Sequence, residues 1–195
     1  MKPIIACLTL LVFLSSCSNK RLVIMSKGAP EINEKSGTII GKDGAGHEET
    51  SMSTGREDWK LESPAGKGTV DLKEKGLYVV NVKNDTIIGS FQNYVAAENA
   101  GQVVSQETVI KKLDSLRLLV EAKNISAANR NFYILPNSAA LITTNIEAEI
   151  VGPYHKMTSA YAKDGAAPEV YRFYSIREIR ETIGKLEVLT QPIKK

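Results

Sequence analysis

Residues 69–91 read TVDLKEKGLYVVNVKNDTIIGSF, and this stretch decides the fold class. Three runs rich in apolar and β-branched residues, at 69–72, 77–82 and 86–91, have the length and composition of short strands. Residues 73–76 and 83–85 separate them with lysine, asparagine, aspartate and glycine, which favour tight turns. The stretch therefore predicts a three-stranded meander.

A helix is predicted after this meander. Ser105 has a side chain preferred at a helix N-cap, and Glu107 lies in the first turn, where a carboxylate is favourable. Apolar residues recur at helical spacing until Asn124, which gives an amphipathic helix of about five turns that should lie on a sheet face. The apolar residues are Val109, Leu113, Leu116 and Val120.

The longest predicted strand follows a shorter one at 132–135 and occupies residues 141–151. In it Ile146, Ala148 and Ile150 alternate with Glu147 and Glu149, so one face is expected to be apolar and the other solvated. A turn at 152–153 then leads into residues 154–161, which also have strand composition.

A β-α-β unit is predicted at the C-terminal side. Residues 170–174 have the aromatic composition of a strand, and Ser175 with Glu178 matches a capping box. The helix is expected to end at Gly184, and residues 186–190 are expected to return as a strand. Residues 59–195 are thus predicted to be an α+β domain with a mixed, mainly antiparallel sheet and one long and one short amphipathic helix.

The segment before this domain differs in composition. Glycines at six positions from Gly28 to Gly55 interrupt scattered charged residues, and few apolar residues are available for burial. A segment that buries little apolar surface does not offset its ordering entropy, so residues 17–58 are predicted to be a flexible tether. Whether residues 31–42 form a short strand is left open.

Residues 1–16 have the features of a signal peptide: a positive start at Lys2, an apolar run over 4–14, and small residues before Cys17. The apolar run is shorter than the roughly 20 residues that a transmembrane helix needs. The sequence LSSC at 14–17 resembles the lipobox of bacterial lipoproteins. This resemblance implies cleavage before Cys17 and attachment of a diacylglyceryl group to its sulfur.

Composition excludes several functional classes. The chain has 25 Lys and Arg against 22 Asp and Glu, so it builds no large basic field and no nucleic-acid partner is expected. Cys7 and Cys17 are the two cysteines, which leaves the mature domain without a disulfide, a thiolate nucleophile or a sulfur-ligated metal. No cofactor and no metal site is predicted, although carboxylates could complete a site around the two histidines.

Two motifs fail on their spacing. His47-Glu48-Glu49 resembles the start of a zinc-peptidase helix, but Ser51 stands where the second histidine is needed. Residues 37–42 have the wrong glycine spacing for a phosphate loop, and Asp43 replaces the hydroxyl residue that would hold magnesium.

Two groups of residues are candidates for function. Glu147 and Glu149 with His155 are the one group that suggests catalysis, on an envelope polymer, while a solvated strand face is the simpler explanation of the two carboxylates. Aromatic residues are candidates for ligand binding, although strand aromatics also serve cores. The binding candidates are Tyr154, Tyr171, Phe173 and Tyr174.

The leading functional hypothesis is a lipid-anchored cell-envelope protein whose domain is non-catalytic and binds another envelope protein or envelope component. It attaches to the membrane through Cys17. Ser18, in place of an acidic residue after Cys17, resembles the pattern of lipoproteins that are sent to the outer membrane. This resemblance implies an outer-membrane location facing the periplasm, with the cell surface as the alternative. The other hypotheses are the polymer-acting enzyme, and a structural accessory or immunity lipoprotein.

Overall fold

Residues 20–44, 46–92, 105–126, 128–153 and 168–190 are described in the computed structural model of the chain. These ranges contain strands and two helices in an arrangement that confirms the α+β class. In chain order the elements are β1 Lys20–Ser26, β2 Gly28–Asn33, β3 Thr38–Lys42, β4 Glu48–Thr54, β5 Asp58–Ser63, β6 Gly66–Asp71, β7 Gly76–Asn81, β8 Ile87–Gln92, α1 Gln106–Val120, β9 Asn131–Ile134, β10 Ser138–Thr143, β11 Glu149–Val151, β12 Val170–Ser175 and α2 Ile176–Thr190.

The strands form three four-stranded sheets, which we call the central, outer and helix-side sheets. Their strand orders are β10-β7-β1-β4 in the central sheet, β2-β3-β5-β6 in the outer sheet and β11-β12-β8-β9 in the helix-side sheet. Each sheet combines two antiparallel pairs with one parallel pair, which are β1 with β7, β3 with β5 and β11 with β12. The described sheets are therefore mixed and mainly antiparallel, as predicted.

Three hydrophobic clusters join the layers. One lies between the central and helix-side sheets, and a second lies between the central and outer sheets. The third joins the helix-side sheet to α1 and α2 through residues such as Ile88, Leu116 and Ile179. The layers therefore stack in the order outer sheet, central sheet, helix-side sheet, helices.

The central strand β1 is buried on both faces. Leu22 and Ile24 pack towards the outer sheet, whereas Val23 and Met25 pack towards the helix-side sheet. Alternate side chains point to opposite faces of a strand, so a strand with cover on both sides is apolar at successive positions. The adjacent strand β7 follows the same rule and is buried at every position.

The meander predicted for residues 69–91 is wrong, although its three strands exist. Strand β6 lies in the outer sheet, β7 in the central sheet and β8 in the helix-side sheet. Because β7 is apolar on both faces, its sequence neighbours are placed in the layers above and below it instead of beside it. The turns before and after β7 therefore carry the chain between layers.

The prediction of a flexible tether over residues 17–58 also differs from the structure. Residues 20–44 and 46–58 contain β1 to β4 and the first residue of β5, and β1 is a central strand. The described fold thus begins at Lys20, well before the predicted boundary at Trp59. Strand β3 at Thr38–Lys42 resolves the question left open for residues 31–42.

The predicted final strand is wrong, because α2 continues from Ile176 to Thr190. Gly184 faces open space and does not end the helix, and Ile183 and Leu186 extend the apolar face that packs on the helix-side sheet. Both helices have 15 residues, so the prediction of one long and one short helix is also wrong. The N-cap at Ser105 is confirmed, since its hydroxyl accepts from the Thr108 amide at 3.2 Å.

The strand predicted over residues 141–151 is two strands, β10 and β11, with a turn between them. The Ala148 amide donates to the Asn145 carbonyl at 3.2 Å, which closes this turn. Ala148 and Ile150 are buried as predicted, whereas Ile146 is exposed on the turn. The strand predicted at 154–161 lies outside the described residues.

Candidate functional site

Four charged or titratable side chains meet at one end of the central sheet, and we call them the Lys83 cluster. Lys83 follows β7, His47 precedes β4, Glu49 lies within β4, and Glu178 lies in the first turn of α2. The registers explain this meeting, because the end of β1 at Ser26 pairs with the start of β4 and lies beside the end of β7. The segments around His47 and Lys83, which are distant in sequence, are thereby brought together.

A buried asparagine holds Lys83 in place. The Asn81 side chain accepts from the Lys83 amide at 3.0 Å and donates to the carbonyls of Asp85 at 2.8 Å and Ile134 at 3.0 Å. The Val82 amide donates to Met25 at 3.0 Å and continues the pairing with β1. The turn after β7 is thus fixed by internal hydrogen bonds, and the Lys83 side chain is directed into the cluster.

Lys83, His47 and Glu49 form a continuous hydrogen-bonded chain. Lys83 Nζ lies 2.6 Å from His47 Nδ1, and His47 Nε2 lies 2.7 Å from Glu49 Oε1. A carboxylate only accepts, so Nε2 carries a proton. A neutral imidazole then accepts from Lys83 at Nδ1, whereas a charged imidazole donates from Nδ1 to the lone pair of a neutral Lys83 amine. The same arrangement therefore suits a proton on either side chain.

Glu178 supplies the buried negative charge. Its Oε2 accepts from the Ser175 amide at 2.6 Å, and its own amide donates to the Ser175 hydroxyl at 3.2 Å, which confirms the predicted capping box. Its Oε1 lies 3.9 Å from His47 Nδ1 and 4.0 Å from Lys83 Nζ. The cap fixes this carboxylate where it faces both His47 Nδ1 and Lys83 Nζ.

Burial shifts the protonation equilibrium of Lys83. The Lys83 side chain is 3% exposed, and this desolvation lowers the pKa of its ammonium group because a charge removed from water loses hydration. The carboxylates of Glu178 and Glu49 oppose the shift in pKa without reversing it. A larger fraction of Lys83 is therefore in the neutral amine form at a given pH than of an ordinary surface lysine.

Gly152 closes over the imidazole and its carboxylate. A Cβ atom at this position would lie 2.2 Å from Glu49 Oε1 and 2.4 Å from His47 Nε2. Both contacts are below van der Waals distance, so only glycine leaves room for this pair as it stands. Both obstructing atoms end flexible side chains, so a larger residue would displace the pair.

A cleft of about 220 Å³ opens beside Lys83. Its walls combine basic and acidic side chains, including Lys27, Arg177 and Asp85. A cavity of this size has room for a small polar molecule, and a lysine of perturbed pKa beside a cleft marks a candidate functional site. The remaining lining residues are Gly46, Asn84, Ser175 and Glu178.

A second polar group, the Arg130 cluster, contains Arg130, Glu169, Tyr171 and Asn145. The Arg130 guanidinium lies 3.6 Å from the centre of the Phe91 ring, donates to Tyr171 Oη at 2.9 and 3.1 Å, and forms an ion pair with Glu169. Tyr171 Oη donates to Glu169 Oε1 at 2.6 Å, and Asn145 donates to Glu169 Oε2 at 2.9 Å. Desolvation raises the pKa of Glu169, but these hydrogen bonds outweigh it and lower the pKa.

The predicted binding aromatics lie mainly in the core. Tyr171 is 1% and Phe173 0% exposed, and both belong to the cluster between the central and helix-side sheets. Tyr174 is half-buried against the helices. Tyr154 lies outside the described residues, as does the lipidation candidate Cys17. The described aromatics therefore pack as strand core residues, the alternative raised for them from the sequence.

The carboxylates proposed for catalysis do not share a strand. Glu147 lies in the turn before β11 and Glu149 lies in β11, and both are exposed. His155 lies outside the described residues. Neither carboxylate lines the cleft beside Lys83.

The Lys83 cluster does not follow from the sequence patterns. Residues 47–49 resemble part of a zinc motif, Lys83 belongs to a predicted turn, and Glu178 belongs to a predicted helix cap. A buried lysine beside a histidine becomes visible after the register of β1, β4 and β7 is known. The one sequence signal was an ionisable residue directly after the apolar run 77–82.

Comparisons with protein-family models, curated proteins and solved structures find no match. Within the described ranges, no group of three or more His, Cys, Asp or Glu side chains is arranged to hold a metal ion. Neither α1 nor α2, the helices of the described residues, has the length and apolar character that a membrane crossing requires.

Proposed function

We propose that the chain is a lipid-anchored cell-envelope protein, attached through Cys17, whose folded domain is non-catalytic and binds another envelope protein or envelope component. The observation that carries the proposal is the position of the cleft relative to the start of the fold. Strand β1 begins at Lys20, and Lys27, directly after its end, lines the cleft. The anchor and the candidate binding site thus belong to opposite ends of one strand.

Chain geometry limits how the domain sits on a membrane. Three residue steps separate Cys17 from Lys20, and a fully extended chain covers at most about 3.6 Å per step, or about 11 Å in all. The seven residues of β1 span about 20 Å at the usual strand rise. The start of β1 is therefore held close to the lipid, and its other end, with the cleft, is free to point away from it.

The proposed location is the outer membrane, facing the periplasm, with the cell surface as the alternative. In either place a cleft directed away from the anchor meets soluble or polymer-bound partners of the envelope. A domain held this close to its anchor reaches a shorter distance from the membrane than it would on the flexible tether predicted for residues 17–58.

The anchor is tested by Cys17→Ala with metabolic fatty-acid labelling. The unaltered chain should incorporate the label and fractionate with membranes, because the Cys17 sulfur is the proposed acceptor. The variant should do neither. Incorporation of label into the variant would contradict the lipid anchor.

The orientation is tested with two cysteine variants whose thiols carry a fluorophore, in the lipidated protein reconstituted into vesicles. The first variant is Lys75→Cys, at a residue next to Gly76, which pairs with Lys20 at the anchored end. The second is Asn84→Cys, at a residue that lines the cleft. Headgroup-bound quenchers should quench the fluorophore at position 75 strongly and the one at 84 weakly. Equal quenching, or the reverse order, would contradict the proposed orientation.

A further inference from the structure

The Lys83 cluster combines three features of a reactive amine. Lys83 lines a cleft, its amine has a proton acceptor at 2.6 Å in His47, and a third group, Glu49, orients that acceptor from 2.7 Å. A nucleophile, an adjacent base and a group that orients the base are the usual parts of an activated nucleophile. Elsewhere in the described chain, Lys67 and Lys73 are 77% exposed and pair with a neighbouring carboxylate.

We propose that the cleft binds a small aldehyde through reversible imine formation at Lys83 Nζ. The inference rests on the proposed function, because it names the chemical class of the ligand that the domain holds. Imine formation is binding and not turnover, so it agrees with a non-catalytic domain. A cleft of about 220 Å³ has room for a small ligand beside Lys83.

The bonding changes balance without an oxidant or a reductant. The neutral Lys83 amine donates its lone pair to the carbonyl carbon, a carbon–nitrogen bond forms, and the carbonyl π electrons move to oxygen. One nitrogen hydrogen and the proton that His47 has taken from the Lys83 ammonium leave with the carbonyl oxygen as water, and a protonated carbon–nitrogen double bond remains. Addition of water to the imine reverses every step.

In these reaction steps, His47 is the positioning residue for the proton. It takes the proton of the Lys83 ammonium at Nδ1 and returns it to the hydroxyl group that leaves as water. Glu49 keeps the other ring proton on Nε2, and Glu178 Oε1 faces the positive charge at 3.9 to 4.0 Å in each state. Because these carboxylates are already in place, no charge has to move into the site.

The test is reductive alkylation of the full chain with acetaldehyde and cyanoborohydride at neutral pH. The reductant traps each imine as an ethylamine, and peptide mass spectrometry gives a rate for each lysine. We expect Lys83 to react at least tenfold faster than Lys67 and Lys73. A Lys83 rate equal to or below theirs would overturn the proposal.

His47→Gln should lower the rate of reductive alkylation at Lys83 by about tenfold at neutral pH, because the amine has lost its proton acceptor. It should also move the pH dependence of that rate to higher pH. Gly152→Ala displaces the His47–Glu49 pair without removing either residue, so it should act in the same direction. Lys67→Gln is the matched control and should leave the Lys83 rate within twofold. Circular dichroism confirms that each variant is folded.

A purely structural role for the cluster predicts a different result. In that case His47→Gln and Gly152→Ala would change stability but leave the pH profile of Lys83 labelling unchanged, and that outcome would overturn the proposal. The anchor is measured separately by fatty-acid labelling. Slow Lys83 labelling in a membrane-attached chain rejects the imine alone, whereas fast labelling in an unlipidated chain rejects the anchor alone.

Discussion

The Lys83 and Arg130 clusters both join a cation to carboxylates, yet their surroundings differ. Lys83 is 3% exposed and its main partner is an imidazole, whereas the Arg130 side chain is 39% exposed and stacks on Phe91. Desolvation lowers the pKa of an ammonium group, but a guanidinium remains charged in proteins. The first cluster therefore holds an amine whose charged form is disfavoured, and the second holds a cation in a hydrogen-bond network.

This difference separates a reactive site from a structural one. At the Arg130 cluster the contacts join β8, β9 and β12 and the turn before β11, and Tyr171 contributes both its hydroxyl and a buried ring. At the Lys83 cluster the charge is buried, and a cleft lies beside it. Changes at the two clusters should accordingly differ in size and in their dependence on pH.

The largest effect is expected from Glu178→Ala. The change removes the capping box of α2 and leaves the buried Lys83 charge without its closest carboxylate, and loss of one partner of a buried pair costs about 3 to 5 kcal/mol. Urea denaturation measures the loss in unfolding free energy. Glu181→Ala, one turn later at an exposed position, should cost at most about 0.5 kcal/mol. Similar losses in the two variants would contradict the desolvated character of the Lys83 cluster.

Arg130→Lys should have a smaller effect. The charge is retained, but the planar contact with Phe91 and the paired hydrogen bonds to Tyr171 are lost, which should cost about 1 to 2 kcal/mol at this partly exposed position. Thermal unfolding measures the change, with the exposed Arg177→Lys as control. A variant as stable as the unaltered chain would show that geometry at Arg130 is unimportant and charge alone suffices.

The smallest effect is expected from the double change of Glu147 and Glu149 to Gln. Both side chains are exposed and neither lines the Lys83 cleft, so the unfolding free energy should change by at most about 0.5 kcal/mol. Partner capture by the lipidated protein should also persist. A folded double variant that loses its biological activity would move the functional site to these carboxylates.

Local sequence patterns predicted the strands and helix starts better than their arrangement. The Ser105 cap and the Ser175–Glu178 box both have a local physical cause, and the structure contains each. The apolar run 22–25 is the pattern of a strand buried on both faces, but its glycine-rich surroundings led to the prediction of a tether. Composition averaged over a segment thus concealed its most buried part.

The arrangement of the strands depends on interactions that no local pattern contains. Residues 69–91 form three strands as predicted, but the choice between pairing side by side and stacking in layers depends on which surfaces cover β7. The Lys83 cluster depends on that choice, because residues 47 and 83 meet only when β4 and β7 flank β1 in one sheet, and Glu178 joins them from the helix after β12. The candidate site could not be predicted for the same reason as the topology.

The pKa of the Lys83 amine most directly tests whether this amine is desolvated. NMR titration of the Lys83 side chain measures it, and a Lys83→Met variant assigns the signal. Desolvation at the end of β7 predicts a value below the ordinary lysine pKa of about 10.4. His47→Gln should change this value, whereas Arg130→Lys should not. A Lys83 pKa at or above the ordinary value would contradict the claim that this cluster holds a desolvated amine.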